Sequence, residues 1–136
     1  SIQLNDGREL MLYQLRRGDG SRDPRSSGTL VDAKGRTTHL GVTDFSLTPS
    51  GATFTSGQGA AYPIAWTITV PAQHLELRVS TPLNDQELSL EGSTGVSYWE
   101  GLIDVAGSSR GKAVAGQGYL EMTGYRGSMG RVLSGQ

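Results

Sequence analysis

Cysteine is absent from the 136-residue chain, which excludes disulfide bonds, thiolate nucleophiles and cysteine-based zinc sites. No apolar run approaches the roughly 18 residues that a membrane-spanning helix needs. Neither sign of charge dominates, because 12 Lys and Arg are scattered among 13 Asp and Glu to give a net charge of −1. A concentrated basic face is therefore not indicated, which argues against nucleic acid or an anionic membrane as the main partner.

Helical periodicity is also missing, since no window of helical length repeats apolar residues every 3.6 positions. The 20 glycines and the many Thr, Val and aromatic residues favour strands and turns instead. Turn residues recur at strand-length spacing, at Asn5-Asp6-Gly7, Ala33-Lys34-Gly35, Pro49-Ser50-Gly51, Pro71-Ala72-Gln73 and Pro82–Asp85. The longest strands are predicted over Ile64–Val70, Leu75–Thr81, Ser97–Val105 and Ala113–Thr123.

This spacing predicts an all-β, antiparallel domain of about eight to nine strands, either an up-and-down barrel or a sandwich. A closed barrel is favoured because the strands are long and consecutive, and closure removes exposed edges. The domain is predicted to span residues 1–126. Residues 127–136 are small and polar, and they predict a flexible tail.

The residues with the most chemical interest lie in two segments, Ser97–Val105 as the first strand and Gly118–Tyr125 at the end of the second, and alternation assigns them to faces. One face of the first strand carries Tyr98, Glu100, Leu102 and Asp104, and the other carries Trp99, Gly101, Ile103 and Val105. Over Gly118–Tyr125, the residues Tyr119, Glu121, Thr123 and Tyr125 share a face. A carboxyl group inside a barrel lumen can serve as a general acid. On the outer face the same carboxylates are ordinary cross-strand neighbours, which alternation alone favours.

A G-x-S-x-G pattern occurs at Gly107-Ser108-Ser109-Arg110-Gly111. In serine hydrolases this motif works on a strand-turn-helix elbow of an α/β sheet. Here strands are predicted on both sides, so we interpret the segment as a hairpin loop.

Two C-terminal motifs are more specific: Tyr98-Trp99-Glu100-Gly101, and Gly118-Tyr119-Leu120-Glu121-Met122-Thr123-Gly124-Tyr125. They resemble the signature of the carotenoid 1,2-hydratase-like family, also described as hydroxyneurosporene synthase-like, AttH-like or predicted secreted hydrolases. Further similarities, in the family's order, run through residues 3–13, Leu15-Arg16-Arg17, Gly28-Thr29-Leu30, Tyr62-Pro63 with Trp66, and Asp85-Gln86-Glu87-Leu88.

The resemblance implies a lipocalin-like β-barrel, the second of two such domains, with a preceding lipocalin-like domain as its partner. It implies non-redox chemistry on hydrophobic molecules, such as addition of water to a polyene, without a metal or organic cofactor. It also implies export to the periplasm or the exterior, although no signal peptide is present in this chain. Two departures matter: Phe54 stands where the family has a tryptophan, and a short Asp/His/Glu-bearing stretch usual upstream is absent.

The leading hypothesis is therefore a lipocalin-like domain that helps to form a site for a hydrophobic substrate. Glu100 and Glu121 are the predicted catalytic carboxylates, as acid or as cation-facing group, and the predicted substrate-binding residues are Tyr98, Trp99, Trp66, Tyr119 and Tyr125. We expect no turnover by this chain alone. Two alternatives stay open: an exported, non-catalytic carrier of a lipid or other apolar ligand, and a structural interaction domain with a fully packed interior.

Overall fold

Strands form where alternating apolar residues are bounded by the predicted turns, and the computed structural model describes residues 1–57, 59–90 and 96–125. The strands are β1 (Ile2–Leu4), β2 (Glu9–Tyr13), β3 (Ser27–Val31), β4 (Thr37–Leu40), β5 (Ser46–Pro49), β6 (Thr53–Thr55), β7 (Ala61–Pro63), β8 (Trp66–Val70), β9 (Leu75–Ser80), β10 (Glu87–Leu90), β11 (Val96–Ser109) and β12 (Lys112–Thr123). The only helix among these residues is a 3₁₀ turn at Pro71–Gln73, and none could cross a membrane. The predicted tail, 127–136, lies outside the described residues.

Ten strands form one antiparallel sheet in the order β4-β3-β2-β1-β12-β11-β9-β8-β5, with β10 beside β11. β6 and β7 pair separately as a hairpin. The main sheet curls strongly into a half-barrel, which confirms the predicted antiparallel, barrel-like all-β fold. Full closure is not observed within the described residues, because β4 and β5 end the strand order and do not pair. The chain between β4 and β5 turns at residues 41–44, where Gly41 N–H donates to Asp44 Oδ2 at 2.7 Å.

The longest element is the β11–β12 hairpin, in which twelve residue pairs run from Tyr98↔Thr123 to Ser109↔Lys112. Its turn residues, Arg110 and Gly111, have φ values of 51° and 80°. Two positive φ values are the signature of a type I′ turn, which matches the twist of the strands. The G-x-S-x-G segment is thus a hairpin, as predicted.

The core lies on one face of the curled sheet and follows the predicted alternation. Both tryptophans belong to it, with 5% of the surface of Trp66 and 0% of the surface of Trp99 exposed. The buried face of β9 carries Leu75, Leu77 and Val79, which alternate with the exposed residues Glu76, Arg78 and Ser80. This inner face positions the site described next.

Candidate functional site

A cavity of about 440 Å³ is bordered by residues from both faces of the half-barrel sheet. Its apolar wall includes Leu10 of β2, Trp66 and Ile68 of β8, Ile103 of β11, and Leu120 and Met122 of β12. Its polar border includes Arg16, Glu100, Tyr119, Glu121, Thr123 and Tyr125. A mostly apolar concavity of this volume, with a few polar groups at its border, has the size and character of a small-molecule site.

The two predicted carboxylates lie side by side, because Glu100 of β11 is the register partner of Glu121 of β12. Both residues are exposed, so they border the cavity on its solvent side. Tyr119 binds Ser1 through both backbone groups, so the backbone groups of Glu121, two residues on, also point away from β11. The Glu pair is then of the non-hydrogen-bonded type, with Cα atoms about 4.5 Å apart. Like charges at this spacing destabilise a sheet.

The predicted aromatic residues differ in their access to the cavity. Trp66 lines it, and its indole N–H donates to Pro63 O at 2.8 Å. Trp99 is fully buried, donates to Asn84 O at 2.7 Å, and is not part of the described lining. Tyr98 is half-buried on the opposite face of β11 and is likewise outside that lining. Tyr119 borders the cavity with 62% of its surface exposed.

Tyr125 stands at the centre of a polar cluster at the cavity border. The guanidinium carbon of Arg16 lies 3.9 Å from the centre of its ring, and Arg16 Nη2 donates to Thr123 O at 3.0 Å. The ring of Tyr62 packs against it at 5.7 Å, and the Tyr62 hydroxyl donates to Glu87 Oε2 at 2.7 Å. Burial raises the pKa of Tyr125, and the positive charge of Arg16 partly opposes that shift. The cluster places a cation and a phenol at the border of an apolar cavity.

The side chain of Gln86 makes hydrogen bonds beside β11 of the kind that a neighbouring strand makes elsewhere in the sheet. Its Oε1 accepts from Leu102 N–H at 3.0 Å, and its Nε2 donates to Leu83 O at 2.7 Å and Thr81 Oγ1 at 2.9 Å. The amide fits because Gly101 has no side chain, since a Cβ there would lie 2.3 Å from Gln86 Cδ. The segments Asp85-Gln86-Glu87-Leu88 and Tyr98-Trp99-Glu100-Gly101, both noted in the sequence, thus contact each other through Gln86 and Gly101.

No group of three or more His, Asp or Glu within the described ranges could hold a metal ion. The described lining of the cavity offers the carboxylates of Glu100 and Glu121, the phenols of Tyr119 and Tyr125 and the guanidinium of Arg16, together with hydroxyl and amide groups.

Comparison with known proteins places this fold. The AttH-like family model matches residues 1–125. The chain belongs to the AttH-like family. The crystal structure of a protein from Nitrosomonas europaea assigned as AttH is similar, with 34% identity and a TM-score of 0.79 over 92% of this chain. Kievitone hydratase from Nectria haematococca has the same fold, with 23% identity and a TM-score of 0.71 over 90% of this chain.

The AttH-like chain corresponds to 37% of the length of each of these two solved proteins. No curated protein sequence matched it.

Sequence patterns give no role to three residues of the polar cluster around Tyr125. Arg16, Tyr62 and Glu87 all lie in segments that carry the family resemblance, and this was the available signal. Arg16 follows the end of β2, while Tyr62 and Glu87 lie on strands of three and four residues. Such short segments are too brief for alternation to identify a face.

Proposed function

We propose that this AttH-like domain forms part of the wall of a site for a hydrophobic small molecule, such as a polyene. The observation that carries the proposal is the cavity of about 440 Å³ with its apolar wall. Burial of apolar ligand surface against such a wall contributes about 25 cal/mol per Å². An interior with this cavity is not fully packed, which argues against the structural interaction domain.

In the catalytic form of the proposal, an acid protonates an alkene and the resulting cation is stabilised while water adds to it. Glu100 or Glu121 would be the acid or the cation-facing carboxylate, and Trp66, Tyr119 and Tyr125 would face the cation with their rings. These five residues border the same cavity. Trp99 and Tyr98, also predicted for the site, would support the wall from outside the described lining.

The exposure of Glu100 and Glu121 bears directly on this mechanism. Water-excluded surroundings strengthen the electrostatic effects on which catalysis depends. In the proposed arrangement a preceding lipocalin-like domain of the longer protein covers the carboxylate side of the cavity. We also propose that the protein is exported, which fractionation of expressing cells would test.

A second candidate function is a non-catalytic carrier of a lipid or other apolar ligand. It is favoured by the same apolar wall together with the solvent-exposed position of the two carboxylates. The two functions share the binding step and differ in turnover, so one experiment addresses binding and another addresses chemistry.

Binding is tested by following Trp66 fluorescence in a Trp99→Phe variant during titration with a polyene. Leu120 lines the cavity, so Leu120→Arg should weaken binding about tenfold or more, equivalent to roughly 1.4 kcal/mol. Leu102, 37% exposed on the neighbouring strand, provides the matched control Leu102→Arg, which should bind like the parent. Equal affinity in all three proteins would remove the cavity from the proposal.

Turnover is tested by incubating a panel of polyenes and simple esters with this chain and with a form extended upstream. We expect no conversion by this chain alone, because catalysis needs acid, water-positioning group and pocket within hydrogen-bond reach of one another. Equal turnover by both forms, lost in Glu100→Gln or Glu121→Gln, would instead make this chain a complete enzyme. Binding without turnover in the extended form would favour the carrier.

A further inference from the structure

The cavity border carries opposite charges at two places along β12 and the residues that follow it. Glu121 and its register partner Glu100 place two carboxylates at the first of these. At the second, Arg16 contacts the ring of Tyr125 and the backbone of Thr123. Among the described residues that line the cavity, Arg16 has the only basic side chain. A bound molecule therefore meets two acidic groups at one part of the border and a single cation at another.

Two contacts hold the Arg16 side chain in place. Its guanidinium carbon lies 3.9 Å from the centre of the Tyr125 ring, and Nη2 donates to Thr123 O at 3.0 Å. Arginine stacks its planar guanidinium on aromatic rings, an arrangement in which the N–H groups at the edge can still donate to other acceptors. The side chain is thus positioned before a ligand arrives, which reduces the entropy lost on binding.

Most of the donor capacity of Arg16 has no partner within the described residues. A guanidinium has five N–H donors, and the bond to Thr123 O uses one of them. The ion pairs found among these residues belong to other arginines, Arg8, Arg25 and Arg36. A guanidinium can bind two oxygens of a carboxylate or phosphate at once. The geometry of Arg16 therefore suits an oxyanion at the cavity border.

Tyr125 adds a second donor beside this cation. Its half-buried ring contacts both the guanidinium of Arg16 and the ring of Tyr62, whose centre lies 5.7 Å away. Burial raises the pKa of Tyr125, so the phenol keeps its proton at neutral pH and can donate a hydrogen bond. A cation and a neutral phenol beside an apolar wall suit a molecule that is anionic at one end and apolar at the other.

We propose that the ligand of the cavity is an amphiphile with an anionic head group, a carboxylate or a phosphate, which Arg16 binds at the cavity border while the apolar tail lies against the cavity wall. The inference rests on the proposed function, because it names the class of the hydrophobic molecule bound there. It makes Arg16 the residue that selects anionic over neutral ligands.

The two carboxylates favour one orientation of this molecule. A head group beside Glu100 or Glu121 would be repelled, because charges of like sign raise the energy of the complex. Thr123, to which Arg16 binds, lies two residues beyond Glu121, about 6–7 Å along the strand. The head group is thus expected at Arg16. In the catalytic form of the proposed function, this anchor would fix which double bond reaches the carboxylates.

The test compares a fluorescent long-chain fatty acid that contains a conjugated tetraene with the alcohol of the same chain. Each is titrated against the parent chain, Arg16→Gln and Arg17→Gln. We expect the parent to bind the acid about five- to tenfold more tightly than the alcohol, a preference between that of an exposed ion pair and that of a charged hydrogen bond. In Arg16→Gln the two dissociation constants should agree within about twofold.

Arg17→Gln is the matched control. It makes the same change of net charge at the neighbouring residue, which is exposed and is not part of the described lining, so it should bind both probes like the parent. Binding of the alcohol by Arg16→Gln shows that this variant is folded. A third probe, the phosphate monoester of the alcohol, distinguishes the two head groups, and tighter binding of it than of the acid would identify a phosphate.

Equal affinity of the parent for the acid, the phosphate and the alcohol would overturn the inference. An equal loss of preference in Arg16→Gln and Arg17→Gln would overturn it as well, because net charge alone would then account for the preference. Added salt provides a measurement without any variant, since it should weaken binding of the acid but not of the alcohol. Failure of both probes to bind the parent would refute the proposed function itself, whereas equal binding of both would refute only the inference.

Discussion

The contact between Gly101 and Gln86 predicts that the effect of Gly101→Ala on the free energy of unfolding depends on the residue at position 86. A Cβ at position 101 would lie 2.3–2.5 Å from three atoms of the Gln86 amide, which are the three nearest heavy atoms. The amide is the end of a flexible side chain, so Gly101→Ala should displace it instead of moving the sheet. The bonds from Gln86 to Leu102, Leu83 and Thr81 would be lost with it.

The magnitude follows from two opposing effects. Loss of two or three neutral hydrogen bonds at about 0.5–1.5 kcal/mol each destabilises the fold by roughly 1–4 kcal/mol. Gly101 does not have a positive φ, so alanine is compatible with its backbone. The lower conformational entropy of the unfolded chain then restores about 0.4–1 kcal/mol. We expect Gly101→Ala to lower the free energy of unfolding by about 1–3 kcal/mol.

In a Gln86→Ala background the obstructing atoms are gone, and the same substitution should be neutral or stabilising by up to about 1 kcal/mol. Urea unfolding of the parent, both single variants and the double variant measures this coupling. Gly107→Ala is the control, because its Cβ would lie 1.9 Å from the backbone oxygen of Glu76 and should destabilise either background. Additive free energies for Gly101→Ala and Gln86→Ala would refute the reasoning.

Three further outcomes are expected. Trp99→Ala and Trp66→Ala should each lower the free energy of unfolding by about 3–5 kcal/mol, and an unchanged melting temperature would contradict their place in the core. Ultraviolet titration of Tyr125 should give a pKa above 10, since burial disfavours the phenolate, and Arg16→Gln should raise that pKa further. In the unfolded chain the phenol of Tyr125 loses its proton at a lower pH than in the folded protein. The free energy of unfolding should therefore fall as pH rises from 10 towards the folded-state pKa, and a rise over that interval would contradict the prediction.

Much of the fold could be predicted because strand alternation and turn residues are local signals. The turn at Asn5-Asp6-Gly7 and the buried set of β9 follow directly from neighbouring residues. The opening between β4 and β5 could not be predicted in this way. Pairing of these two strands depends on the curl of the whole sheet, which no short segment encodes.

The candidate site was predicted in part for the same reason. Alternation correctly grouped Glu100 with Tyr98 and Glu121 with Tyr119, but it could not say which group faces the interior. The structure answers this through burial, since Trp99 and Met122 of the alternate positions are in the core. The Arg16–Tyr125 contact joins residues 109 positions apart and depends on tertiary packing.

The β11–β12 hairpin also bears on the order of folding. Its pairing begins at Ser109↔Lys112, whereas β1 pairs Ile2 with Gly118. Closing a short loop costs less entropy than closing one of more than a hundred residues. The hairpin can therefore form early, with β9 and β8 adding to one edge. The β1–β4 meander would dock on its other edge last, so the two ends of the sequence would meet in the slowest step.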